Sequence, residues 1–300
     1  MGKTLSIVIP CYNEAKSLPV VLPELIQFVN ERDYRLIITN DGSKDDSLQI
    51  LQAHFADQPK CTAVNHKVNR GYGGAIKSGV QIAETDYVIT IDADGQHYLD
   101  DVDKLFKLIQ EQDADMIVGS RKGQQEASAF RGLGKSIIRG IAKFLMPMNI
   151  HDINSGMKIY NTALAKRYLP LCPDAMAYSD IIALVFINQR HRVGEEQIRI
   201  KPRVAGDSTI NVKTAYETVM EIINVVILFN PMRIFLTVAV LFEVFAIVWD
   251  FHIFMRGGGI STGSGMLIVS GFIFFMLGLV TEQLSQIRKM QSGNEWPPHL

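Results

Sequence analysis

Short apolar runs alternate with helical patterns along the first 120 residues, and this alternation constrains the fold more than any other feature. Five runs are typical of buried strands: Leu5–Ile9, Arg35–Thr39, Cys61–Asn65, Tyr87–Ile91 and Met116–Val118. Helical spacing marks Ser17–Glu31, Asp45–Phe55, Gly74–Ala83, Val102–Gln110 and, farther along, Ala183–Asn188, while Gln197–Lys201 resembles an edge strand. Repeated strand–helix units favour a parallel sheet with right-handed crossovers. We therefore predict an α/β fold with a Rossmann-like, mostly parallel sheet and helices on both faces.

An acidic turn follows the fourth of these strands directly. It reads Asp92-Ala93-Asp94-Gly95-Gln96-His97, so two carboxylates stand two residues apart with a glycine and a glutamine beside them. Proteins commonly hold Mg²⁺ through one or two carboxylates together with substrate phosphates. The sequence therefore predicts that this turn holds a metal ion together with a diphosphate. We expect His97 to orient its neighbours rather than to bind the metal.

Four further polar clusters follow predicted strands, where ligands of open α/β sheets usually bind. They are Pro10–Glu14, Asn40–Asp45, the Gly-rich turn Asn69–Ala75, and Gly119–Arg121. Asp41, followed by Gly and Ser, predicts a tight turn whose carboxylate accepts from a base N–H or a ribose hydroxyl. The Gly-rich turn opens a helix and suits a close approach of backbone to an anion.

Composition excludes several function classes. Lys and Arg number 30 against 31 Asp and Glu, a net charge of −1, which gives no support to nucleic acid as a partner. The three cysteines lie far apart without metal-binding spacing, so we expect reduced thiols. No Gly-x-Gly-x-x-Gly follows the first strand, which argues against a dinucleotide-dependent dehydrogenase.

Two mostly apolar segments near the end of the chain, 234–254 and 266–284, are each close to the ~20 residues that span a bilayer. We predict two transmembrane helices; the alternative is a helical hairpin buried in a soluble core. Arg233 precedes the first segment, and Arg288 and Lys289 follow the second. The positive-inside rule then places the large domain and the C-terminus in the cytoplasm.

Two features adjoin these segments. Apolar residues at helical spacing in Thr209–Phe229 predict an amphipathic helix at the membrane surface, or equally an ordinary helix packed on the domain. Glu243 lies deep inside the first predicted span. Because charge is costly in lipid, we expect Glu243 to contact another helix or subunit.

Four of these motifs together resemble one enzyme family. The four motifs occur in the order and spacing of family 2 glycosyltransferases. They are Pro10-x-Tyr12-Asn13-Glu14, Asn40-Asp41-Gly42-Ser43, Asn69-x-Gly71-x-Gly73-x-Ala75 and Asp92–His97. Within that family the chain resembles dolichyl-phosphate mannose synthases and bacterial undecaprenyl-phosphate glucosyltransferases over about residues 4–210. The resemblance implies a GT-A type domain over 1–208, the juxtamembrane helix over 209–230 and a two-helix anchor over 231–300.

The resemblance also implies residue roles. Mg²⁺ or Mn²⁺ and the donor diphosphate would be held by Asp92, Asp94 and Gln96. The donor nucleotide would contact Pro10, Tyr12, Glu14, Asp41, Gly71 and Asp92. The acceptor phosphate would contact Arg121, Arg131 and Ser136, and Asp94, Asp152, Arg121 and Arg203 would be catalytic. The chain departs from the family at two positions: Asn40 stands where many members have Asp, and Thr209 where Lys is common. These departures bear on base recognition and on neutralisation of the donor diphosphate.

The activity that the resemblance implies is inverting transfer of one sugar from a nucleotide sugar to undecaprenyl or dolichyl phosphate. The first choice of donor is UDP-glucose and the next is GDP-mannose. The enzyme would be an integral protein of the cell membrane or its ER equivalent and a homo-oligomer, either a dimer or a tetramer. A lipid phosphate, with a second pKa near ~6, is already anionic at neutral pH and needs no general base. If a base were needed, Asp152 is the candidate; its alternative role is to hydrogen-bond a sugar hydroxyl or the loop backbone.

Two rival functions remain. A processive polysaccharide synthase carries Gln-x-x-Arg-Trp after the acidic turn, whereas the only tryptophans here, Trp249 and Trp296, lie outside such a motif. A catalytically silent, lipid-binding membrane scaffold would keep the fold alone. The presence of Asp92, Asp94, Arg121 and Arg203 together argues against loss of catalysis.

Overall fold

The structure is a computed structural model that describes residues 2–121, 150–201, 227, 231–255, 257–259 and 261–291. The chain divides into two compact units. The first comprises Met1–Gly132 and Met148–Thr218, and the second comprises Leu133–Pro147 and Val219–Leu300. The predicted helix over 209–230 lies outside the described residues except for residue 227.

The first unit is built on a seven-stranded sheet in the order β3-β2-β1-β4-β6-β5-β7. The strands are β1 Leu5–Cys11, β2 Arg35–Asn40, β3 Cys61–Asn65, β4 Tyr87–Thr90, β5 Met116–Ser120, β6 Lys158–Asn161 and β7 Val193–Gln197. All neighbouring strands run parallel except that β6 is antiparallel to both β4 and β5. The predicted mostly parallel sheet is therefore confirmed.

Helices cover both faces of this sheet. They are α1 Leu18–Arg32, α2 Ser47–Phe55, α3 Tyr72–Ile82, α4 Leu99–Glu111, α5 Thr162–Tyr168 and α6 Tyr178–Asn188. Ile7 of β1 lies in the core cluster shared with α1 and α4. The next residue, Val8, faces the opposite way, since a Cβ atom on Gly79 of α3 would lie 2.6 Å from its Cγ1. Alternation along one strand therefore buries both of its faces.

The structure corrects the prediction at three places. Strand β6 and helix α5 were not predicted, because Lys158 and Asn161 interrupt the apolar pattern. The predicted edge strand Gln197–Lys201 is wrong: the strand is Val193–Gln197, and Ile200 forms only an isolated bridge with His97. Helix α6 begins at Tyr178, five residues before the predicted Ala183.

The second unit contains two long apolar helices, α7 Pro231–Phe254 and α8 Thr262–Gln291. Pro231–Phe251 and Thr262–Ile287 are long and apolar enough to cross a membrane. The first begins and ends three residues before the predicted span 234–254, and the second extends the predicted span 266–284 at both ends. Only 11% and 17% of their most apolar windows are buried. This exposure disfavours the alternative of a hairpin buried in a soluble core.

Small residues form the contact between α7 and α8. Ser264, Gly271, Gly278 and Ser285 recur every seventh position along α8, and all four are buried. A Cβ atom on Gly278 would lie 2.8 Å from Phe235 Cβ, and one on Gly271 would lie 3.2 Å from the Ala239 carbonyl oxygen. The carboxylate of Glu243 lies against Gly271 as well. The predicted contact of Glu243 with another helix is therefore present within the hairpin.

Candidate active site

The loops that follow β1 and β2 are joined by hydrogen bonds at the carboxyl edge of the sheet. Asn13 adopts a left-handed conformation with φ 56°, and its backbone N–H donates to Ser43 Oγ at 3.0 Å. Its Oδ1 accepts from the Lys44 N–H at 2.8 Å. Tyr12 is left 42% exposed at this edge, and the Glu14 carboxylate accepts from the Ser17 hydroxyl. The loop that begins at Pro10 thus lies beside the Asp41 turn.

Asp41 holds the Gly-rich turn from inside the protein. Its side chain is buried, and its carboxylate accepts from the backbone N–H groups of Arg70 at 2.9 Å and Gly71 at 2.8 Å. Gly71 adopts φ 96°, which an L side chain rarely tolerates. His66 Nδ1 contacts Asp41 at 2.6 Å, and its Nε2 contacts Ser78 Oγ on α3 at 2.8 Å. This geometry gives Asp41 a positioning role, and its direct contact with a nucleoside stays a prediction.

Asp92 is held by side chains on two sides. The Tyr72 hydroxyl donates to Asp92 Oδ1 at 3.0 Å, and His97 Nε2 lies 3.6 Å from Oδ2. Burial alone would raise the pKa of Asp92, but the hydrogen bonds and charge supplied by His97, together with Tyr72, hold it below its ordinary value. The Asp92 side chain remains 36% exposed. His97 therefore lies beside the acidic turn, and its orienting role stays a prediction.

The remaining residues of the acidic turn pack on the segment that follows β7. Asp94 is buried, and its Oδ1 accepts from the Gln96 N–H at 3.1 Å. Gln96 contacts Lys201 twice: its carbonyl accepts from the Lys201 N–H at 2.7 Å, and its Nε2 donates to the Lys201 carbonyl at 3.2 Å. Metal binding by Gln96 stays a prediction.

Arg121 and Asp152 form a bidentate ion pair beside this turn. Arg121 Nε donates to Asp152 Oδ2 at 2.7 Å and Nη2 to Oδ1 at 2.9 Å, while the backbone N–H of Arg121 also donates to Oδ2 at 3.0 Å. Burial would raise the pKa of Asp152, but the hydrogen bonds and charge of Arg121 hold it below its ordinary value. A carboxylate held ionised in this way is a weak proton acceptor, so the geometry favours a positioning role for Asp152.

A turn after Asp152 forms one wall of the site. A Cβ atom on Gly156 would lie 2.9 Å from Asp92 Cγ, so only glycine lets the backbone come this close to the carboxylate. The Gly156 carbonyl accepts from Thr90 Oγ1 at 2.8 Å, and Arg121 Nη2 donates to the Asn154 carbonyl at 3.3 Å. This wall links the Arg121–Asp152 pair to Asp92.

The structure brings together most of the predicted site. Pro10 lies near the end of β1. The loops at or beside the same edge of the sheet carry the other described residues, Tyr12, Glu14, Asp41, Gly71, Asp92, Asp94, Gln96, Arg121 and Asp152. Arg131, Ser136 and Arg203 lie outside the described residues. Sequence reasoning missed Tyr72 and His66. An aromatic residue inside a Gly-rich turn was the available signal for Tyr72, while nothing local marked His66.

The carboxylates of the acidic turn are of the chemical type that binds a divalent cation, and metal binding here stays a prediction. In the part of the chain that the structure describes, no three His, Cys, Asp or Glu side chains form a group able to hold a metal alone. Asp92 and Asp94 nevertheless supply two hard oxygen donors two residues apart. Such a pair is typical of Mg²⁺ sites that are completed by phosphate oxygens and water.

Comparison with known sequences finds matches along most of the chain. Residues 230–287 match the GtrB C-terminal hairpin. A dolichyl-phosphate beta-glucosyltransferase of Dictyostelium discoideum is 30% identical over 55% of this chain and 56% of its own length. An undecaprenyl-phosphate 4-deoxy-4-formamido-L-arabinose transferase of Photorhabdus laumondii is 26% identical over 95% of this chain and 90% of its own. The chain thus spans little more than half of the first relative and most of the second.

Solved structures agree on the fold. Glucosyl-3-phosphoglycerate synthase from Mycobacterium tuberculosis, in complex with Mg²⁺ and UDP, superposes with a TM-score of 0.57 at 16% identity, over 75% of this chain and 79% of that one. S. aureus TarS 1–349 in complex with UDP superposes with a TM-score of 0.52 at 18% identity, over 75% and 65%. The sequence match that decides the family covers residues 6–169, more than half of the chain. From this match and the acidic turn at the sheet edge, we conclude that the chain belongs to glycosyl transferase family 2.

Proposed function

We propose that this chain transfers a single sugar, with inversion, from a nucleotide-diphosphate sugar to a polyprenyl phosphate. The observation that carries the proposal is the wall at Gly156, which joins a partly exposed acidic turn to the Arg121–Asp152 pair at one sheet edge. One side of this wall presents carboxylates for a cation and the other a guanidinium for a phosphate. The polyprenyl-phosphate substrates named for the two relatives support the choice of acceptor.

The acceptor's chemistry fits the residues. A lipid phosphate is already anionic at neutral pH, so it can attack the anomeric carbon without a general base. Asp152, paired with Arg121, then orients the guanidinium instead of removing a proton. What the protein contributes is alignment of the two substrates and exclusion of water. Arg131 and Ser136 are proposed to share the acceptor phosphate, and Arg203 the donor diphosphate.

On the donor side, we propose that Asp92 and Asp94, with Gln96, hold Mg²⁺ or Mn²⁺. When bound, such an ion neutralises charge on the diphosphate leaving group. Tyr12, Glu14 and the Asp41 turn are proposed to surround the nucleoside, and the 42% exposure of Tyr12 leaves its ring open to stack on a base. UDP-glucose is the first choice of donor and GDP-mannose the next. The glucosyltransferase relative and the UDP complexes of the structural neighbours support that order.

The proposed organisation places a catalytic domain over 1–208 and a juxtamembrane helix over 209–230. A two-helix anchor over 231–300 completes it, with the catalytic domain in the cytoplasm. The length and exposure of the two apolar helices support the anchor. We further propose a homo-oligomer in the cell membrane or its ER equivalent.

The decisive test supplies purified full-length protein with undecaprenyl phosphate and a panel of labelled nucleotide sugars, with Mg²⁺ or with chelator. Label should enter the organic phase only with metal and should be lost in Asp94→Ala. Asp57→Ala, a change at an exposed carboxylate on the loop after α2, is the matched control and should retain transfer. Intact donor binding without lipid labelling from any donor would refute the acceptor assignment. Long products from one donor would instead support a processive synthase.

A further inference from the structure

A buried lysine stands behind the wall of the site. Lys158 is the first residue of β6 and is 1% exposed, although lysine is almost never fully buried without partners. Burial lowers its pKa to about 8, against the opposing charges of Asp180 and Asp152. An ammonium group kept in such a place needs hydrogen-bond acceptors around it.

One of those acceptors belongs to the turn that forms the wall, and the other lies on helix α6. Lys158 Nζ donates to Ser179 Oγ at 2.7 Å and also to the Ser155 carbonyl. Ser179 Oγ in turn donates to the same Ser155 carbonyl at 2.7 Å. Ser155 is fully buried and Ser179 is 6% exposed. One backbone carbonyl therefore receives two side-chain donors, one of them charged.

Gly156, the next residue, links the hydrogen-bonded carbonyl of Ser155 to the position of Asp92. Gly156 follows Ser155 directly, its carbonyl accepts from Thr90 Oγ1 at 2.8 Å, and its Cα lies against the Asp92 carboxylate. Three side chains, from β4, β6 and α6, thus fix two successive carbonyls of the turn. Asp92 cannot move toward the turn while these hydrogen bonds persist, because the backbone of Gly156 already fills the space.

We propose that Lys158 is a positioning residue: together with Ser179, it holds the Ser155–Gly156 turn against Asp92. It thereby sets the carboxylate's position for a divalent cation bound with a nucleoside diphosphate. The inference rests on the proposed function for the identity of that ligand. A lysine suits the role because its ammonium has three donors and its charge balances nearby carboxylates.

The test compares two hydroxyl deletions in the full-length protein in detergent. Ser179→Ala removes the bridge between Lys158 and Ser155. Tyr168→Phe is the control, since it removes a hydroxyl that contacts His191 Nε2 at 2.8 Å, on helix α5 beyond the opposite end of β6. Mn²⁺ binding is measured by electron paramagnetic resonance with UDP, and again with GDP, alongside the melting temperature of each variant.

We expect Ser179→Ala to weaken nucleotide-dependent Mn²⁺ binding about tenfold. Tyr168→Phe should leave this Mn²⁺ affinity unchanged and should lower the melting temperature by about as much as Ser179→Ala does. Lys158→Met should show a larger loss; if it does not fold, Ser179→Ala decides. Equal Mn²⁺ affinities in Ser179→Ala and Tyr168→Phe would overturn the inference, as would wild-type protein that binds Mn²⁺ with neither nucleotide. Wild-type protein that binds Mn²⁺ with nucleotide but labels no lipid would refute only the proposed function.

Discussion

A single methyl group at Gly156 should disable the site without unfolding the domain. Its Cβ would lie 2.9 Å from Asp92 Cγ, whereas ordinary contacts of this kind are 3.4–4 Å. Either the turn or the carboxylate must therefore move by about 0.5–1 Å. The turn is restrained through Thr90, Lys158 and Ser179, so we expect the carboxylate to move.

The size of the expected loss of activity follows from that displacement. A shift of about 1 Å in a reacting or binding group can cost about 100-fold in rate. Overpacking of this kind typically costs about 1–3 kcal/mol of stability, which a folded domain can absorb. Gly156→Ala should therefore lower kcat/KM for sugar transfer by about 100-fold and leave a cooperative thermal transition.

Gly194→Ala is the matched control for this variant. Gly194 lies on β7, and its added Cβ would lie 3.2 Å from the end of the Gln112 side chain and at an ordinary contact distance of 3.6 Å from Ile117 Cγ1. That side chain is flexible and can move aside, so transfer should stay close to wild type. Both variants are assayed by labelled lipid formed at limiting donor. Equal activity in Gly156→Ala and Gly194→Ala would refute the claim that the wall positions Asp92.

Three further predictions test the rest of the site. Tyr72→Phe removes the donor to Asp92 Oδ1 and should lower kcat/KM about tenfold at an unchanged melting temperature; unaltered transfer would contradict this. Because Arg121 depresses the pKa of Asp152, the ionised carboxylate stabilises the native state at neutral pH, and this stabilisation disappears as pH falls through the lowered pKa. Asp152→Asn should thus lower the melting temperature at pH 7 by about 2–4 °C, and this difference should shrink progressively as the pH falls below the ordinary value of 3.8, which a series of thermal melts checks. Chelation with EDTA should abolish transfer and added Mg²⁺ restore it, whereas transfer that persists in EDTA would exclude the metal site.

The sequence predicts the fold best where local pattern and burial agree. Strands β1 to β5 were located because their apolar runs are buried, with only the edge strand β3 partly exposed. Strand β6 was missed because a fully buried strand position holds Lys158, whose polarity is compensated by residues distant in sequence. Strand β7 is Val-Gly-Glu-Glu-Gln, half-exposed and polar, so the apolar residues after it attracted the prediction instead.

The residues of the candidate site also differ in how well the sequence predicts them. The acidic turn is a local feature of six residues, and its position after a buried strand made its place at the sheet edge predictable. Tyr72 reaches Asp92 from 20 residues away, and only the packing of α3 against β1 and β2 brings the two together. Asp41 was expected to meet a nucleoside, yet its carboxylate is engaged by backbone N–H groups 29 and 30 residues along the chain. Patterns along the sequence indicate which residues are of a type that carries chemistry. They do not indicate which of these side chains already form hydrogen bonds within the folded protein.

The seven-residue spacing of Ser264, Gly271, Gly278 and Ser285 has a consequence for how this hairpin tolerates change. A strict heptad repeat is shorter than two turns of a straight helix, so α7 and α8 must coil around each other with a left-handed twist to stay in register. Substitution of a large apolar residue on the outer surface by another apolar residue exchanges one apolar side chain for a similar one. Substitution at every seventh position would force the backbones apart along the whole hairpin. A mutational scan of α8 should therefore show intolerance with a period of seven, and the twist of the pair is encoded by its smallest side chains.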